Sequence, residues 1–396
     1  MDRNSCILLW RFVTLTIATA VMLSASSLFA AQNAQHQIVS SEPSPDQIAA
    51  IVSEAADSYF KNSPHAAGLS IGLLKDGHSY LYNYGTVRMG ETGAPSSETI
   101  FAIASISKTF TGTLLAQAVL EKRVRFDDDV RKYLNEAYPN LEFDGHPIEL
   151  QFLVNHNSGL PFNLPDIPEN RPPFSTPVSS TIRQMLNNYG RQDFLRDLHS
   201  VQIKTVPGQK FSYSNAAAVL LSIVLEHVYQ MPYEEIVKRK IADPLGMQDT
   251  TISLSNAQKV RLAQGYDGTG AAAGYPPEIM LGAAGLKSTA SDLLKYAGWE
   301  VAEQDPAVKL SHQSRFILTE NYSVGLNWQI IKSGANRRIW QDGSTPGFLS
   351  ICMTFPELHM AVVVLSNEDD AASAHAFDGI ANQIAKSLDP RSAPLF

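Results

Sequence analysis

Cysteine is nearly absent from this chain. Of 396 residues only two are cysteine, and Cys6 lies so close to the start that a processed form keeps Cys352 alone. One thiol cannot close an intrachain bridge, which excludes a disulfide scaffold. A basic excess is also missing: 31 Lys and Arg stand against 39 Asp and Glu, a formal net charge of −8. Binding to a phosphate backbone needs clustered cations. The longest basic run, Lys238-Arg239-Lys240, reads as a solvated helix face. The ten histidines show no H-E-x-x-H and no paired Cys/His spacing, so a zinc site is unsupported. No G-x-x-x-x-G-K-[ST] loop exists to cradle a nucleotide phosphate. Asp127-Asp128-Asp129 reads as a charged turn or helix start rather than a metal cluster. Internal repeats and low-complexity segments are lacking too. What remains, 44% apolar and 18% charged, is a globular composition. The length fits about two or three domain-sized units, or one intertwined pair.

The first residues have a different character. Arg3 and Arg11 precede a 12-residue apolar stretch, Phe12 to Leu23, and small residues follow from Ser24 to Ala31. This order of basic, apolar and small segments predicts a secretory signal peptide over residues 1–31, with export and periplasmic residence as the expectation it carries. No cysteine sits near the cut, which argues against a lipid anchor. An uncleaved span is the rival reading, weakened by Thr14, Thr16, Thr19 and Ser24. No stable membrane span is expected after processing. Residues 32–43 are polar and read as a tether.

Ser44-Pro45-Asp46-Gln47 then opens a helix, with Ser as N-cap and Gln three positions on. Ile48, Val52, Ala55 and Tyr59 give it one apolar face. Residues 68–74 and 79–85 alternate around Asp76-Gly77, a hairpin signal. A helical pattern runs from Ser105 to Lys122, and residues 125–280 are mostly helix and loop. Six prolines between Pro161 and Pro177 exclude a regular element there. Ala216 to His227 is an apolar helix. Short apolar runs return at Arg338–Trp340, Phe348–Phe355 and Ala361–Leu365, separated by Gly343–Gly347 and Pro356-Glu357, before a last helix over residues 371–387. The fold class is therefore α/β, more strictly α+β: an antiparallel sheet of five or more strands flanked by the first and last helices, with an all-helical lobe inserted. The α/β lobe is assigned to residues 44–124 and 281–396, and the helical lobe to residues 125–280.

Chemistry has two serine candidates that fail on context. Gly68-Leu69-Ser70-Ile71-Gly72 matches G-x-S-x-G, but that elbow needs a helix directly after the serine, and a hairpin follows here. Ser58-Tyr59-Phe60-Lys61 has the S-x-x-K spacing but lies late in an amphipathic helix. A second S-x-x-K, Ser105-Ile106-Ser107-Lys108, sits where the apolar run Phe101–Ala104 meets a new helix. Residues three apart share a helix face, so Lys108 can reach the Ser105 hydroxyl. A serine is a poor nucleophile until a base takes its proton, and a lysine is that base only when burial or nearby positive charge lowers its pKa. Backbone N–H groups at a helix start also face developing negative charge.

Two further segments follow in order. Tyr213-Ser214-Asn215 opens the apolar helix at Ala216, and Gly343-Ser344-Thr345-Pro346-Gly347-Phe348 joins two strands. Y-x-N also occurs at Tyr133 and Tyr138 without that setting. The three elements in this order resemble the serine β-lactamase and penicillin-binding-protein superfamily, most closely its class C β-lactamase-like group of D,D-peptidases and esterases. The resemblance covers nearly all of the chain after the signal segment. His156-Asn157-Ser158-Gly159-Leu160-Pro161, Pro244-Leu245-Gly246-Met247 with Asp249-Thr250, Gly285-Leu286-Lys287-Ser288-Thr289 to Asp292, and Gly325-Leu326-Asn327-Trp328 look like the group's H-x-S-G-L-P segment, P-L-G-M…D-T helix end, G-L-x-S-T…D turn and G-L-G-W strand. Thr289 and Asp292 also have capping-box spacing.

The resemblance implies a β-lactamase/transpeptidase-like fold and an acyl-enzyme mechanism without metal or organic cofactor. Ser105 is the implied nucleophile, Lys108 its base, Tyr213 the proton donor to the departing group, and Asn215 a partner of Lys108 and substrate. The amides of Ser105 and Ser344 are the implied oxyanion hole. The third motif departs from the family's Lys-Thr-Gly or His-x-Gly, for Gln341-Asp342-Gly343 stands there. These three are the expected substrate-binding positions. Gln341 offers only amide hydrogen bonds. Asp342 brings a negative charge that repels an anionic ligand, pairs with Lys108 or binds a cationic substrate, unless strand alternation turns it from the cleft. Strong penicillin or cephalosporin hydrolysis is not expected. The expected substrate is a small acyl or peptide compound, such as a D-amino-acid-containing peptide from peptidoglycan. An esterase or weak β-lactamase is the first alternative, and a non-catalytic penicillin-binding sensor the second.

Overall fold

Asp76 and Gly77 both adopt positive φ, 50° and 85°, and close the first hairpin as their side chains allow. In this computed structural model, residues 43–63, 65–170, 180–369 and 371–393 are described. The signal segment, residues 32–42 of the tether and residues 171–179 of the proline-rich stretch lie outside them. The sheet strands are β1 (Gly68–Lys75), β2 (His78–Gly85), β3 (Phe316–Ile317), β4 (Tyr322–Gly325), β5 (Trp328–Ser333), β6 (Asn336–Thr345), β7 (Phe348–Phe355) and β8 (Met360–Ser366). They form one eight-stranded sheet in the order β2-β1-β8-β7-β6-β5-β4-β3, with every adjacent pair antiparallel. The helices that matter for the site are α1 (Pro45–Asn62), α2 (Ser107–Leu120), α3 (Asn215–Tyr229), α4 (Ala290–Ala302), α5 (Pro306–Ser311) and α6 (Ala371–Leu388). This is the α/β architecture expected from the sequence.

The chain divides into Met1–Ile48 and the compact unit Ala49–Phe396. In the first, Ser44 and Gln47 exchange the reciprocal bonds of a capping box, at 2.8 and 3.3 Å. In the second, Val52, Ala55 and Tyr59 of α1 are buried. Tyr59 meets Phe377 of α6 edge-on and donates to Glu368 at 2.7 Å. The first and last helices thus share one sheet face. α4 covers the opposite face, with Gly72 of β1 against Ala290 and Leu294. Strands β7 and β8 are buried along their whole length, which is why they read as continuous apolar runs rather than alternating ones.

Four local expectations need correction. The helix beginning at Ser105 starts as a 3₁₀ turn over Ala104–Ile106, and α2 begins only at Ser107. Ala104 has φ +46°, a left-handed kink that a continuous α-helix cannot absorb. Residues Gly343–Thr345 belong to β6 rather than to a connection; they pair with β7 up to Thr345 and Phe348, leaving only Pro346-Gly347 as the turn. Gly325–Trp328 is not one strand: Gly325 ends β4, Trp328 begins β5, and between them Leu326-Asn327 form the turn, with φ +42° and +73° and amides that bond to Asn155 and Val154. The capping box at Thr289 is half formed. Thr289 accepts from the Asp292 amide, but the Asp292 carboxylate takes the Asp249 amide at 2.8 Å instead.

At the C-terminal end of α4 an ionic chain runs outward from a buried pair, His312 and Glu300, to partly exposed partners. His312 is within 2.9 Å of Glu300 and 2.7 Å of Glu303, and Arg337 of β6 bridges Glu303 and Glu357. Burial alone lowers the His312 pKa, yet the hydrogen bonds and charges of both glutamates outweigh it and raise the value. Burial raises the Glu303 pKa, and bonds from His312 and Arg337 overcome that and bring it to about 2. The histidine's contribution is therefore full below its unfolded pKa and lost as pH rises through the folded value; the Glu303 contribution is present above its unfolded pKa and lost as pH falls towards about 2. His312→Gln is expected to lower the melting temperature more at about pH 5.5 than at about pH 9, as read by circular dichroism melts across that range.

Candidate active site

The 3₁₀ turn that carries Ser105 ends against α2, and Lys108 follows one turn later. The Lys108 Nζ lies 2.9 Å from Ser105 Oγ. It also donates to Asn215 Oδ1 and to the Ala283 carbonyl, both at 2.7 Å. The side chain is wholly buried. Burial favours the neutral amine, the Asp342 charge opposes it, and burial prevails, bringing the pKa down to about 7. The other lysine spacing, Ser58–Lys61, is part of α1, and Ser70 is a strand residue that donates to Asn83.

Each partner of Lys108 is held by local geometry. Ser214 caps α3, accepting from the Ala217 amide at 2.9 Å and donating to the Pro161 carbonyl at 2.6 Å. This fixes Tyr213 just before the helix and Asn215 as its first residue. Asn215 donates onward to Asn163 Oδ1 at 2.8 Å. The Ala283 carbonyl comes from a π-helical turn, Leu281–Gly285. A side chain at Gly282 would fall 2.1 Å from Thr111 Oγ1 and 2.5 Å from the Tyr233 hydroxyl, so the turn sits this close only because that residue is glycine. Asn327 donates to the Lys108 carbonyl at 2.8 Å, tying the β4–β5 turn to α2.

The Tyr213 ring lies 4.9 Å from Lys108 Nζ, and its phenol interacts with Ser105 and Gln341. Burial, with the Asp342 charge adding to it, raises its pKa beyond any physiological pH. The phenol is therefore protonated where Lys108 titrates, so the amine is the group able to take a proton from Ser105. The His156 ring packs against Tyr213 at a 30° tilt, centroids 4.1 Å apart, and its Nδ1 accepts from the Ser214 amide. Burial and then the Lys108 charge depress its pKa to about 3, so it is a neutral support for the tyrosine ring.

Strand β6 forms the remaining wall. A Cβ at Gly343 would stand 2.6 Å from the Ser105 amide nitrogen, so the bare backbone lets the strand pass directly beside it. The next amide belongs to Ser344, whose hydroxyl turns outward to Asp369 at 2.9 Å. Gln341 is buried on the Tyr213 side. Asp342 is partly exposed and accepts from Gln329 Nε2 at 3.0 Å. The structure thus brings Ser105, Lys108, Tyr213, Asn215, Gln341, Gly343 and Ser344 together, with Asp342 at the margin. Reasoning from the sequence missed Asn163, the Ala283 carbonyl and the service of His156 to Tyr213. His156 opens a segment already singled out and Asn163 lies two residues past its end; the carbonyl left no signal, being backbone.

A family model described as beta-lactamase matches residues 49–385. The chain belongs to that family. Its members here are serine hydrolases, and this chain is one. It is 26% identical over 357 residues to the D-alanyl-D-alanine carboxypeptidase/endopeptidase AmpH of Escherichia coli K12, covering 85% of this chain and 88% of the relative. It is 28% identical over 341 residues to a β-lactamase of Providencia stuartii, covering 76% and 82%. The β-lactamase/D-alanine carboxypeptidase of Yersinia pestis shares the fold, with a TM-score of 0.72, 23% identity, and coverage of 86% of this chain and 99% of that one. Among the described residues no cluster of three or more His, Cys, Asp or Glu is placed to hold a metal, and no helix is long and apolar enough to cross a membrane.

Phosphonylation of Ser105 by a fluorophosphonate, with loss of fluoride, should rise with pH to a plateau, with its midpoint near the Lys108 value of about 7. The Asp342 carboxylate holds that value up, so Asp342→Asn should move the midpoint to lower pH; a stopped-time labelling series across pH reads both.

Proposed function

We propose that this family member is an exported serine hydrolase working through an acyl-enzyme on Ser105, and that it acts on D-amino-acid-containing peptides or related amides. The observation that carries the reading is the buried amine of Lys108, 2.9 Å from the Ser105 hydroxyl, with a pKa of about 7. As Ser105 Oγ bonds to the substrate carbonyl carbon, its proton passes to Lys108 Nζ. The resulting ammonium is met by Asn215 Oδ1, the Ala283 carbonyl and the charge of Asp342. Tyr213 gives its phenolic proton to the departing nitrogen or oxygen and recovers one from Lys108. The amides of Ser105 and Ser344 receive the oxyanion, a type of contact worth about 3–4 kcal/mol per donor. Water then attacks the acyl carbon as its proton passes to the neutral Lys108 Nζ, and that proton returns to Ser105 Oγ as the ester bond breaks and the acyl group leaves as a carboxylic acid.

The substrate class follows from two supports. The E. coli relative named for D-alanyl-D-alanine carboxypeptidase and endopeptidase activity matches over most of both chains. The basic, apolar and small segments of residues 1–31 favour export, and with it access to peptidoglycan in the periplasm. An esterase is the second reading, favoured by the neutral Gln341 at the motif's first position. A fluorophosphonate or fluorescent penicillin should label Ser105 in the wild type, and Ser105→Ala should abolish the label; full labelling of that variant would overturn the reading. Values of kcat/KM on D-Ala-D-Ala peptides, p-nitrophenyl butyrate and nitrocefin then separate peptidase from esterase and β-lactamase, and Lys108→Ala should remove turnover of whichever is used.

A further inference from the structure

The polar groups around Ser105 carry an unequal charge. Tyr213 and His156 are neutral, Asn215, Asn163 and Gln341 are amides, and Lys108 loses its proton near pH 7. The charge of Asp342 is felt by both Lys108 and Tyr213. It precedes Gly343, the residue pressed against the Ser105 amide. Its bond from Gln329 is neutral, and among the described residues it makes no salt bridge. Lys108 does not neutralise it by contact, since the amine bonds to Ser105, Asn215 and Ala283. The carboxylate therefore lies partly exposed on the strand that passes beside the Ser105 amide, near enough for its charge to bear on both Lys108 and Tyr213, with no cation held against it among the described residues.

We propose that Asp342 sets leaving-group specificity: the site takes acyl donors whose leaving group has an amidated carboxyl or an ammonium, and disfavours those ending in a free carboxylate. This rests on the reading of Ser105 as the acylated residue. A carboxylate entering beside Asp342 meets a like charge in a partly desolvated place, where repulsion is stronger than in water. A capped carboxyl removes that repulsion, and an ammonium turns it into attraction. Gln341, a neutral donor, supplies no compensating charge for an anionic end.

The test uses protection of Ser105 from a neutral fluorophosphonate, so that it does not depend on turnover. The competitors are N-acetyl-D-Ala-D-Ala, its C-terminal amide and its C-terminal 2-aminoethyl amide. The wild type should be protected best by the aminoethyl amide, then by the amide, with the free acid about tenfold or more weaker than the amide. Asp342→Asn keeps an oxygen acceptor for Gln329, and in it the acid and the amide should come within about twofold of each other. Asp342→Thr is the second variant and should behave alike if the charge is the cause. Equal or better protection by the free acid in the wild type, protection by none of the three, or an unchanged preference in both folded variants would overturn the inference. Failure of Ser105 to label at all is a different result: it removes the acyl-enzyme reading itself, and this inference falls with it.

Discussion

Everything at this site depends on an ammonium that the protein will not solvate. Lys108 is wholly buried, and its proton is lost near pH 7 because the cation has no water around it. Three acceptors surround the nitrogen, but none carries a charge, and one is the hydroxyl it must activate. A carboxylate in direct contact would have restored the charge and made the lysine a structural ion pair. Asp342 acts only at a distance, enough to moderate the shift without cancelling it. The balance between desolvation and this remote charge is what makes one lysine a base.

The scaffold keeps that balance by close backbone approaches. Gly282 lets a π-helical carbonyl reach the amine, and Gly343 lets a strand lie against the Ser105 amide. Ala104, held at positive φ, turns the chain sharply into the 3₁₀ segment that bears the serine. Below, α4 stacks Tyr296 on Phe110 at 4.1 Å and bonds to Thr109, gripping the face of α2 next to Lys108. Preorganisation of this kind spares the reacting groups from rearranging as charge develops.

Much of this was legible in the residues, and for physical reasons. Asp76-Gly77 marked a hairpin because few residues accept positive φ, and α3 was readable because Ser214 caps an unbroken apolar run. The S-x-x-K spacing was ambiguous by itself, since Ser58–Lys61 has it too; only position at a helix start separated the copies. The extent of β6 was misread because Gly343 signals a turn when seen alone, whereas its bareness serves a contact with a residue far away in sequence. Leu326 gave no hint of its left-handed φ, which goes with tertiary bonds from its own amide to Asn155 and from the Asn327 amide to Val154. Asp292 looked like half of a capping box until tertiary structure offered it the Asp249 amide.

Lys108 draws its partners from residues 105, 215 and 283, and the strand beside the serine comes from residue 343. These segments meet only when the chain has closed on itself. Before then the lysine is hydrated and cationic, and the serine is no more reactive than any other. A nascent or unfolded copy is thus chemically silent, and its hydrolytic power is acquired in the same event that completes its tertiary structure.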